Sequence, residues 1–194
     1  MAATGQSAPG QSTPGQSTPE DVLTFWFGPG KAEQWFVSDP AFDRLVEAHL
    51  AHHLATAGDY DGWRDSAQGC LALCIIFDQV PRNLYRGSPR AYGHDQMARA
   101  VARHALARGF DRDLPQEQRL FLYLPLEHSE ALADQHDCVD LMGRLDANPE
   151  WCSFAQRHRD IIARFGRFPH RNAALGRQTT AEEATFLTEP DSSF

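Results

Sequence analysis

The sequence lacks the features expected of an exported or membrane-bound protein. No basic segment followed by an apolar stretch opens the chain, and no apolar run is long enough to span a bilayer. The chain has four cysteines without a CxxC pair, which are Cys70, Cys74, Cys138 and Cys152. Four are too few for a disulfide framework in a chain of 194 residues, so we expect a protein of the reducing cytoplasm.

Positive charge is scarce as well. The chain carries 18 Lys+Arg against 26 Asp+Glu, which gives a formal net charge of -8 at pH 7. Binding to nucleic acid needs a basic surface over the docking face, because phosphate charge must be neutralised there. The composition therefore argues against nucleic acid as the main partner, although it is compatible with a local basic pocket.

The common catalytic motifs are missing too. FGPGK at residues 27–31 ends in lysine, but it lacks the GxxxxGK[ST] spacing of a phosphate-binding loop. No GxSxG elbow is present, and HSE at residues 128–130 has the HxE pattern of zinc deaminases without their PCxxC. We therefore expect a protein without a cofactor and without a bound metal.

Strand patterns are absent, whereas helix starts are frequent. Four starts pair a capping residue with proline, at Thr18-Pro19, Asp39-Pro40, Ser88-Pro89 and Asn148-Pro149. Further starts are predicted at Pro115, at Asp134, and at Thr179 or Thr180 with Glu182 or Glu183 in a capping box. With a helix over residues 65–79, which we expect Pro81 to end, the prediction is an all-α fold of about eight helices.

The first residues have a composition of their own. From Gly5 to Pro19 the pentapeptides GQSAP, GQSTP and GQSTP follow one another, and they contain no side chain that could anchor a core. We expect residues 1–18 to be a flexible tail and residues 19–189 to form a single all-α domain. Residues 190–194 are predicted to be a short C-terminal tail.

Three titratable residues occupy helical faces that are otherwise apolar. Asp78 ends the apolar face of LALCIIFDQVPRN, His128 ends that of FLYLPLEHSE, and His158 lies inside the stripe of a later helix. Burying such groups is costly unless they are paired, so we expect partners for all three and a structural role for His158. The nearby candidates are Arg82, Asn83, Glu130, Arg164, Arg167, His170, Arg171 and Asn172.

The stretch HRDIIARFGRFPHRN, residues 158–172, concentrates positive charge in this acidic chain. It contains four arginines, two histidines and one carboxylate. The helical pattern ends just before Gly166, which permits a left-handed cap. Residues 168–172 are therefore predicted to form a turn or loop that directs side chains toward Asp78 and His128.

These motifs resemble a known family. VLTFWFG, LALCIIFDQVPRNLYRG, RLFLYLPLEHSE, HRDIIARFGRFPHRNAALGR and TTAEEATFL are similar, in this order, to the signatures of the bacterial domain-of-unknown-function family numbered 924. The resemblance runs from about Pro19 to Leu187. It implies an all-α domain similar to tetratricopeptide-like superhelices, in which stacked helical hairpins form a concave inner face. The family motif residues correspond here to Asp78, Gln79, Arg82, Asn83, Arg86, Tyr123, His128, Glu130, His158, Arg164, Arg167, His170, Asn172 and Arg177.

Two classes of function follow. The first is a small enzyme that acts on an anionic small molecule by acid-base chemistry, as a lyase, dehydratase or hydrolase. In this class the predicted catalytic residues are His128 or His170 for proton transfer, oriented by Asp78 or Glu130. The residues predicted to bind the anion are Arg82, Asn83, Arg86, Tyr123, Arg167, Arg171 and Asn172.

The second class is a non-catalytic helical scaffold that binds a peptide or protein on its concave face, by analogy with the superhelical architecture alone. The concentration of polar residues in three short motifs favours the first class. The same polar residues are also compatible with a metal-dependent site, with His128, Glu130, His170 and Asp78 as ligands. They are equally compatible with a closed structural network in which Asp78 and Glu130 hold the arginines.

Overall fold

The computed structural model of the chain describes residues 18–55, 60–145, 147–190 and 192–193. Over these residues it contains α-helices, short 3-10 turns and no β-strand, so the predicted all-α class of about eight helices is confirmed. The predicted N-terminal tail, apart from Thr18, lies outside the described residues. The helices are α1 (Pro19–Trp26), α2 (Pro40–Ala55), α3 (Ala67–Cys74, Ile75–Gln79 and Val80–Leu84 in succession), α4 (Asp95–Arg108), α5 (Gln116–Glu127), α6 (Leu132–Met142), α7 (Pro149–Phe165) and α8 (Ala181–Phe186).

Four of the predicted helix starts are confirmed by their caps. At Asp39-Pro40, the Asp39 carboxylate accepts a hydrogen bond from the Ala41 amide at 2.8 Å, and α2 begins at Pro40. The Thr18 side chain accepts a hydrogen bond from the Asp21 amide, and the Asp21 carboxylate accepts one from the Thr18 amide. Asn148 caps α7, and Thr180 forms the same reciprocal arrangement with Glu183 at the start of α8. Thr18 is therefore the N-cap of α1.

Two predicted helix starts are wrong in position. Ser88-Pro89 opens only a 3-10 turn, Pro89–Tyr92, and α4 begins after it. Helix α6 begins at Leu132 rather than at Asp134. The Asp134 carboxylate accepts a hydrogen bond from the Ser129 hydroxyl at 2.6 Å, so it bonds to a side chain instead of capping the helix backbone.

The prediction that Pro81 ends a helix is also wrong, because α3 changes its type of hydrogen bonding. Residues Ile75–Gln79 form a π-helical stretch, in which the Val80 amide donates to the carbonyl five residues back. The wider turn lets the helix continue past Pro81, although proline has no amide hydrogen. Beyond the proline, Arg82 Nη1 donates to the Asp78 carbonyl at 2.8 Å.

Helix α3 lies at the centre of the helical packing. It contacts α1, α2, α4 and α5, while α5, α6 and α7 pack as consecutive neighbours. A second apolar cluster joins the end of α7 to α8 through Ile162, Phe168 and Phe186. Phe168 precedes a single 3-10 turn, Pro169–Arg171, as the turn prediction for this stretch requires. Packing of the helices as a tetratricopeptide-like stack stays a prediction.

The predicted domain limits, residues 19–189, also stay a prediction. Within the predicted C-terminal tail, Ser192 is buried, and its hydroxyl donates to the Leu187 carbonyl at 3.2 Å. The neighbouring Ser193 lies at the cavity described below. The end of the described chain therefore packs against the helical body.

Gly69 is a position at which α3 cannot accept a larger side chain. A methyl group there would overlap the Trp63 carbonyl oxygen, which is a backbone atom and cannot rotate away. We expect Gly69→Ala to lower the free energy of unfolding by about 1–3 kcal/mol in urea denaturation. Gly93→Ala is the matched control, since its methyl group would lie 3.5 Å from the Arg90 carbonyl oxygen. Equal effects of the two substitutions would contradict the close approach.

Candidate functional site

A cavity of about 560 Å³ opens between α3, α5, α7 and the turn that follows α7. Each of the three polar motifs contributes side chains to its lining. The predicted site residues that line it are Arg82, Asn83, Arg86, His128, His170 and Arg171. The fold therefore brings residues separated by up to about ninety positions in the sequence to one concave surface.

Asp78 lies behind this lining and is 1% exposed. His128 Nδ1 is 2.8 and 2.9 Å from its two carboxylate oxygens, and Arg82 Nη1 is 3.2 Å from one of them. Gln79 Nε2 donates to the carboxylate at 2.6 Å. Burial alone would raise the pKa of Asp78, but the charges of Arg82 and His128 and these hydrogen bonds lower it to about 2. Asp78 is therefore a buried anion that holds His128 in place.

Two arginines share a second carboxylate beside this group. Arg82 donates to Asp95 through both terminal nitrogens, at 2.8 and 3.1 Å. Arg171 Nη1 is 3.5 Å from Asp95 and donates to the His128 carbonyl at 3.0 Å. Arg171 is 5% exposed, and its Nε has no hydrogen-bond partner among the described residues. Burial and the charge of Arg82 lower the pKa of Arg171 to about 10.

The environment of His128 keeps its ring neutral near pH 7. Burial lowers the pKa of His128, and together with the charges of Arg82 and Arg171 it outweighs the opposing effect of Asp78. Because Nδ1 faces an ionised carboxylate, the ring proton lies on Nδ1, and Nε2 is left as a hydrogen-bond acceptor. His170 also lines the cavity, and burial and Arg171 lower its pKa to about 4.

Glu127 and His158 also line the cavity, although the sequence reasoning assigned neither of them to the site. Glu127, which the sequence reasoning missed, is 5% exposed, and its Oε1 lies 3.6 Å from His158 Nδ1. Burial and the charge of Asp78 raise the pKa of Glu127 to about 8. Burial lowers the pKa of His158 to about 3. The spacing that could have found Glu127 is present, since Leu120, Leu124 and Glu127 share one helical face.

Asn83 and Arg86 line the cavity next to Arg82. Arg86 forms two hydrogen bonds with the Asp43 carboxylate on α2, both at 2.8 Å, and a third with the Asn83 side-chain oxygen at 3.1 Å. Asn83 in turn donates to the Gln79 carbonyl at 3.0 Å. These contacts fix Arg86 at the edge of the cavity.

Glu130, predicted as a catalytic residue, does not line the cavity. It forms two hydrogen bonds with Arg177, at 2.7 and 3.0 Å, and accepts a third from the Phe168 amide at 2.9 Å. Burial raises the pKa of Glu130, but these hydrogen bonds overcome it and lower the pKa below its ordinary value. Glu130 therefore connects the segment after α5 to the turn after α7, through Phe168 and Arg177.

Three residues predicted to bind the ligand also lie away from the cavity. Arg167 donates to both Glu183 oxygens, at 2.6 and 2.8 Å, and Asn172 donates to the same carboxylate at 3.2 Å. Tyr123 donates to an Asp111 oxygen at 3.0 Å. Arg167 and Asn172 therefore attach α8 to the turn after α7.

The other side of the cavity is apolar, which the sequence reasoning did not anticipate. Four of its residues come from α5 and α7, and three come from the turn before α2. They are Leu120, Leu124, Trp151, Phe154, Trp35, Phe36 and Val37. The residues of the turn have no helical periodicity, so their position carries no signal in the sequence.

Neither a metal cluster nor a transmembrane helix is found in the described part of the chain. No group of three or more histidine, cysteine, aspartate or glutamate side chains there has the arrangement of a metal site. No helix within the described ranges is long and apolar enough to cross a membrane.

Comparison with known proteins identifies the family. Residues 22–191 match the family described as bacterial protein of unknown function, DUF924. The chain belongs to this family. It is also similar to a solved structure, that of a protein of unknown function from Agrobacterium tumefaciens, with 40% identity and a TM-score of 0.81. That similarity covers 87% of this chain and 96% of the other. No curated protein matches the chain.

The raised pKa of Glu127 predicts that this residue lowers the free energy of unfolding as the pH rises. Between pH 4.5 and pH 8 the unfolded chain loses the Glu127 proton while the folded chain keeps it, so the stability contributed by this proton falls as the pH rises. We expect the free energy of unfolding of Glu127→Gln, relative to that of wild type, to rise by about 2–4 kcal/mol from pH 5 to pH 8.5. The measurement is urea denaturation across this range.

Glu150→Gln is the matched control for this substitution, because Glu150 is exposed at the edge of the same cavity. The trend with pH should be larger for Glu127→Gln than for this control, because Glu127 is buried beside Asp78. Equal trends would show that Glu127 is ionised in the folded protein near neutral pH, contrary to expectation.

Proposed function

We propose that the cavity binds an anionic small molecule and that His128 transfers a proton to or from it, in a reaction of the lyase, dehydratase or hydrolase class. The observation that carries the proposal is the position of His128. Its Nδ1 is held by the buried Asp78 carboxylate, while the ring lines the same cavity as Arg82 and Arg171. This is the geometry of a base oriented by a carboxylate.

The charge of the lining supports an anionic ligand. Four arginines line the cavity, namely Arg82, Arg86, Arg157 and Arg171. The lining carboxylates are Glu127, which is protonated near neutral pH, and Glu150 at the exposed edge. The unpartnered Nε of Arg171 supplies a buried donor, and leaving it without an acceptor is unfavourable. An anion bound next to Arg171 would bring an acceptor close to this side chain.

The protonation states support acid-base chemistry. His128 is neutral near pH 7 and presents an acceptor nitrogen, as a general base requires. Glu127, the preceding residue, holds a proton in the same range and can act as the acid. Neighbouring groups whose environments move their pKa values in opposite directions are typical of acid-base pairs. His170 stays as a second candidate for the base.

The scaffold function receives less support from this geometry. Binding of a peptide along a tetratricopeptide-like concave face requires contacts spread along a surface. The unusual polar residues of this chain instead meet around one cavity, whose volume suits a small molecule. We therefore retain binding of a small molecule as the proposal.

The anion-binding half of the proposal is tested by thermal denaturation with acetate, phosphate and succinate. A ligand that binds only the folded state raises the melting temperature by mass action. We expect at least one of these anions, at millimolar concentration, to stabilise the wild type. The stabilisation should be lost in Arg171→Gln, since this side chain supplies the free donor.

Arg167→Gln is the matched control for Arg171→Gln. Arg167 lies in the same arginine-rich stretch but is bound to Glu183 away from the cavity. Its melting temperature should be lower without anion, yet its response to anion should equal that of wild type. A response that is unchanged in Arg171→Gln, or the absence of any response in wild type, would contradict anion binding in this cavity.

The proton-transfer half predicts a specific tautomer. In nitrogen-15 NMR at pH 7, with histidine labelled, we expect His128 to be neutral with its proton on Nδ1, because Asp78 accepts that hydrogen bond. His128→Gln removes the signal and so assigns it. A ring that is doubly protonated at pH 7, or one that carries its proton on Nε2, would rule out His128 as the base.

A further inference from the structure

The lining of the cavity changes from apolar to polar along two helices. On α5, Leu120 and Leu124 precede Glu127. On α7, beyond Asn148 and the exposed Glu150 at its start, Trp151 and Phe154 precede Arg157 and His158. Glu127 and His158 lie 3.6 Å apart, so the two polar ends meet. The cavity therefore has a polar end, next to His128 and Arg171, and an apolar side that leads away from it.

The length of the apolar side follows from helix geometry. Leu120 to Glu127 and Trp151 to His158 each span seven residues, or about 10 Å at 1.5 Å per residue. A cavity of about 560 Å³ with this extent is much larger than a simple inorganic anion needs. A ligand that filled it would carry an apolar part about 10 Å long.

The exposed edge of the apolar side is unusually hydrophobic. Phe36 is 62% exposed, Val37 is 55% exposed and Phe154 is 43% exposed. These three are half of the large hydrophobic residues that are exposed in the described part of the chain, and all three line this cavity. Exposed apolar side chains gathered at a concave site mark a ligand or partner surface. The apolar part of a ligand would remove them from water.

The polar end has room for a single negative charge. Arg82 is already paired with Asp78 and Asp95, and Arg86 is paired with Asp43. The guanidinium of Arg157, the fourth arginine of the lining, lies over the Phe154 ring on the apolar side, 5.3 Å from the ring centroid. Arg171 is the buried arginine that keeps an unpartnered donor. A ligand with several charges would face too little uncompensated positive charge to repay its desolvation. A carboxylate, with one charge, fits this end.

We infer that the ligand of this cavity is a monocarboxylate with an apolar chain about 10 Å long, its carboxylate beside Arg171 and His128 and its chain along Leu120, Leu124, Trp151 and Phe154. The inference rests on the proposed function and adds the class of substrate to it. The apolar chain supplies binding, and the polar end places the carboxyl-bearing carbon next to the base.

The test is isothermal titration calorimetry with butyrate, octanoate, 1-octanol and inorganic phosphate. Octanoate has four methylene groups more than butyrate, and each one that the apolar side covers raises affinity by about fourfold. Coverage of two of them is enough for octanoate to bind about tenfold or more tightly than butyrate. Binding of octanoate should show a negative heat-capacity change. Octanoate should also bind more tightly than 1-octanol, and Arg171→Gln should abolish that difference in affinity.

Phe36→Ser removes an exposed apolar contact. It should weaken the binding of octanoate by about threefold or more and leave the binding of butyrate unchanged. Val37→Ser serves the same purpose if Phe36→Ser does not fold. The matched control is Leu132→Ser, since Leu132 is 41% exposed but lies outside the cavity lining. It should leave octanoate binding unchanged.

The outcomes separate the inference from the proposed function. If butyrate or phosphate binds as tightly as octanoate, and Arg171→Gln removes that binding, the anion site stands and the monocarboxylate inference is overturned. If octanoate binding is unaffected by Phe36→Ser and Val37→Ser, octanoate binds elsewhere and the inference is overturned. If none of the anions binds, both fall.

Discussion

The buried carboxylate of Asp78 is the constraint on which the rest of the proposed site depends. An ionised carboxylate that is 1% exposed would be very unfavourable without partners. Its partners come from two places in the sequence, since Gln79 and Arg82 lie in the same helix and His128 follows α5. The π-helical stretch of α3 makes this possible, because it carries Asp78 and lets the helix continue to Arg82 past a proline. The same contacts of Asp78 therefore stabilise α3 and orient His128.

The same charge determines how its neighbours are protonated. Asp78 raises the pKa of Glu127 in addition to burial, whereas at His128 burial and two arginines outweigh it. Two adjacent residues of the chain therefore have opposite behaviour near neutral pH, one holding a proton and the other able to accept one. Neither pKa shift can be predicted from residue type alone. In isolation, glutamate has a lower pKa than histidine, whereas here Glu127 has the higher pKa of the two. Both pKa shifts arise because the end of α5 is buried against α3.

The parts of this molecule that sequence reasoning could predict are those governed by local chemistry. The caps at Thr18, Asn148 and Thr180 depend on residues at most three positions away, and all three are confirmed. The polar residues on apolar helix faces led to the expectation of partners for Asp78, His128 and His158, and residues of all three motifs line one cavity. Pairings across the sequence were out of reach, because Glu130 and Arg177 are 47 positions apart and Arg167 and Glu183 are 16 apart. The apolar side of the cavity was missed because Trp35, Phe36 and Val37 lie in a turn, where no periodicity reveals which way a side chain faces.

A closed network of ion pairs and an open site are compatible here because the carboxylates and the cavity lie on different sides of the arginines. Asp43, Asp78 and Asp95 hold Arg82 and Arg86, yet none of the three carboxylates lines the cavity, whereas both arginines do. Arginines fixed in this way lose little conformational freedom when a ligand binds, so less of the binding energy is spent on ordering them. An anion beside Arg171 would add a partner to this side chain and displace none of the ion pairs of Arg82 and Arg86. The network that fixes the polar end thus also limits the charge that this end could accept, so the proposed ligand would draw much of its affinity from the apolar side.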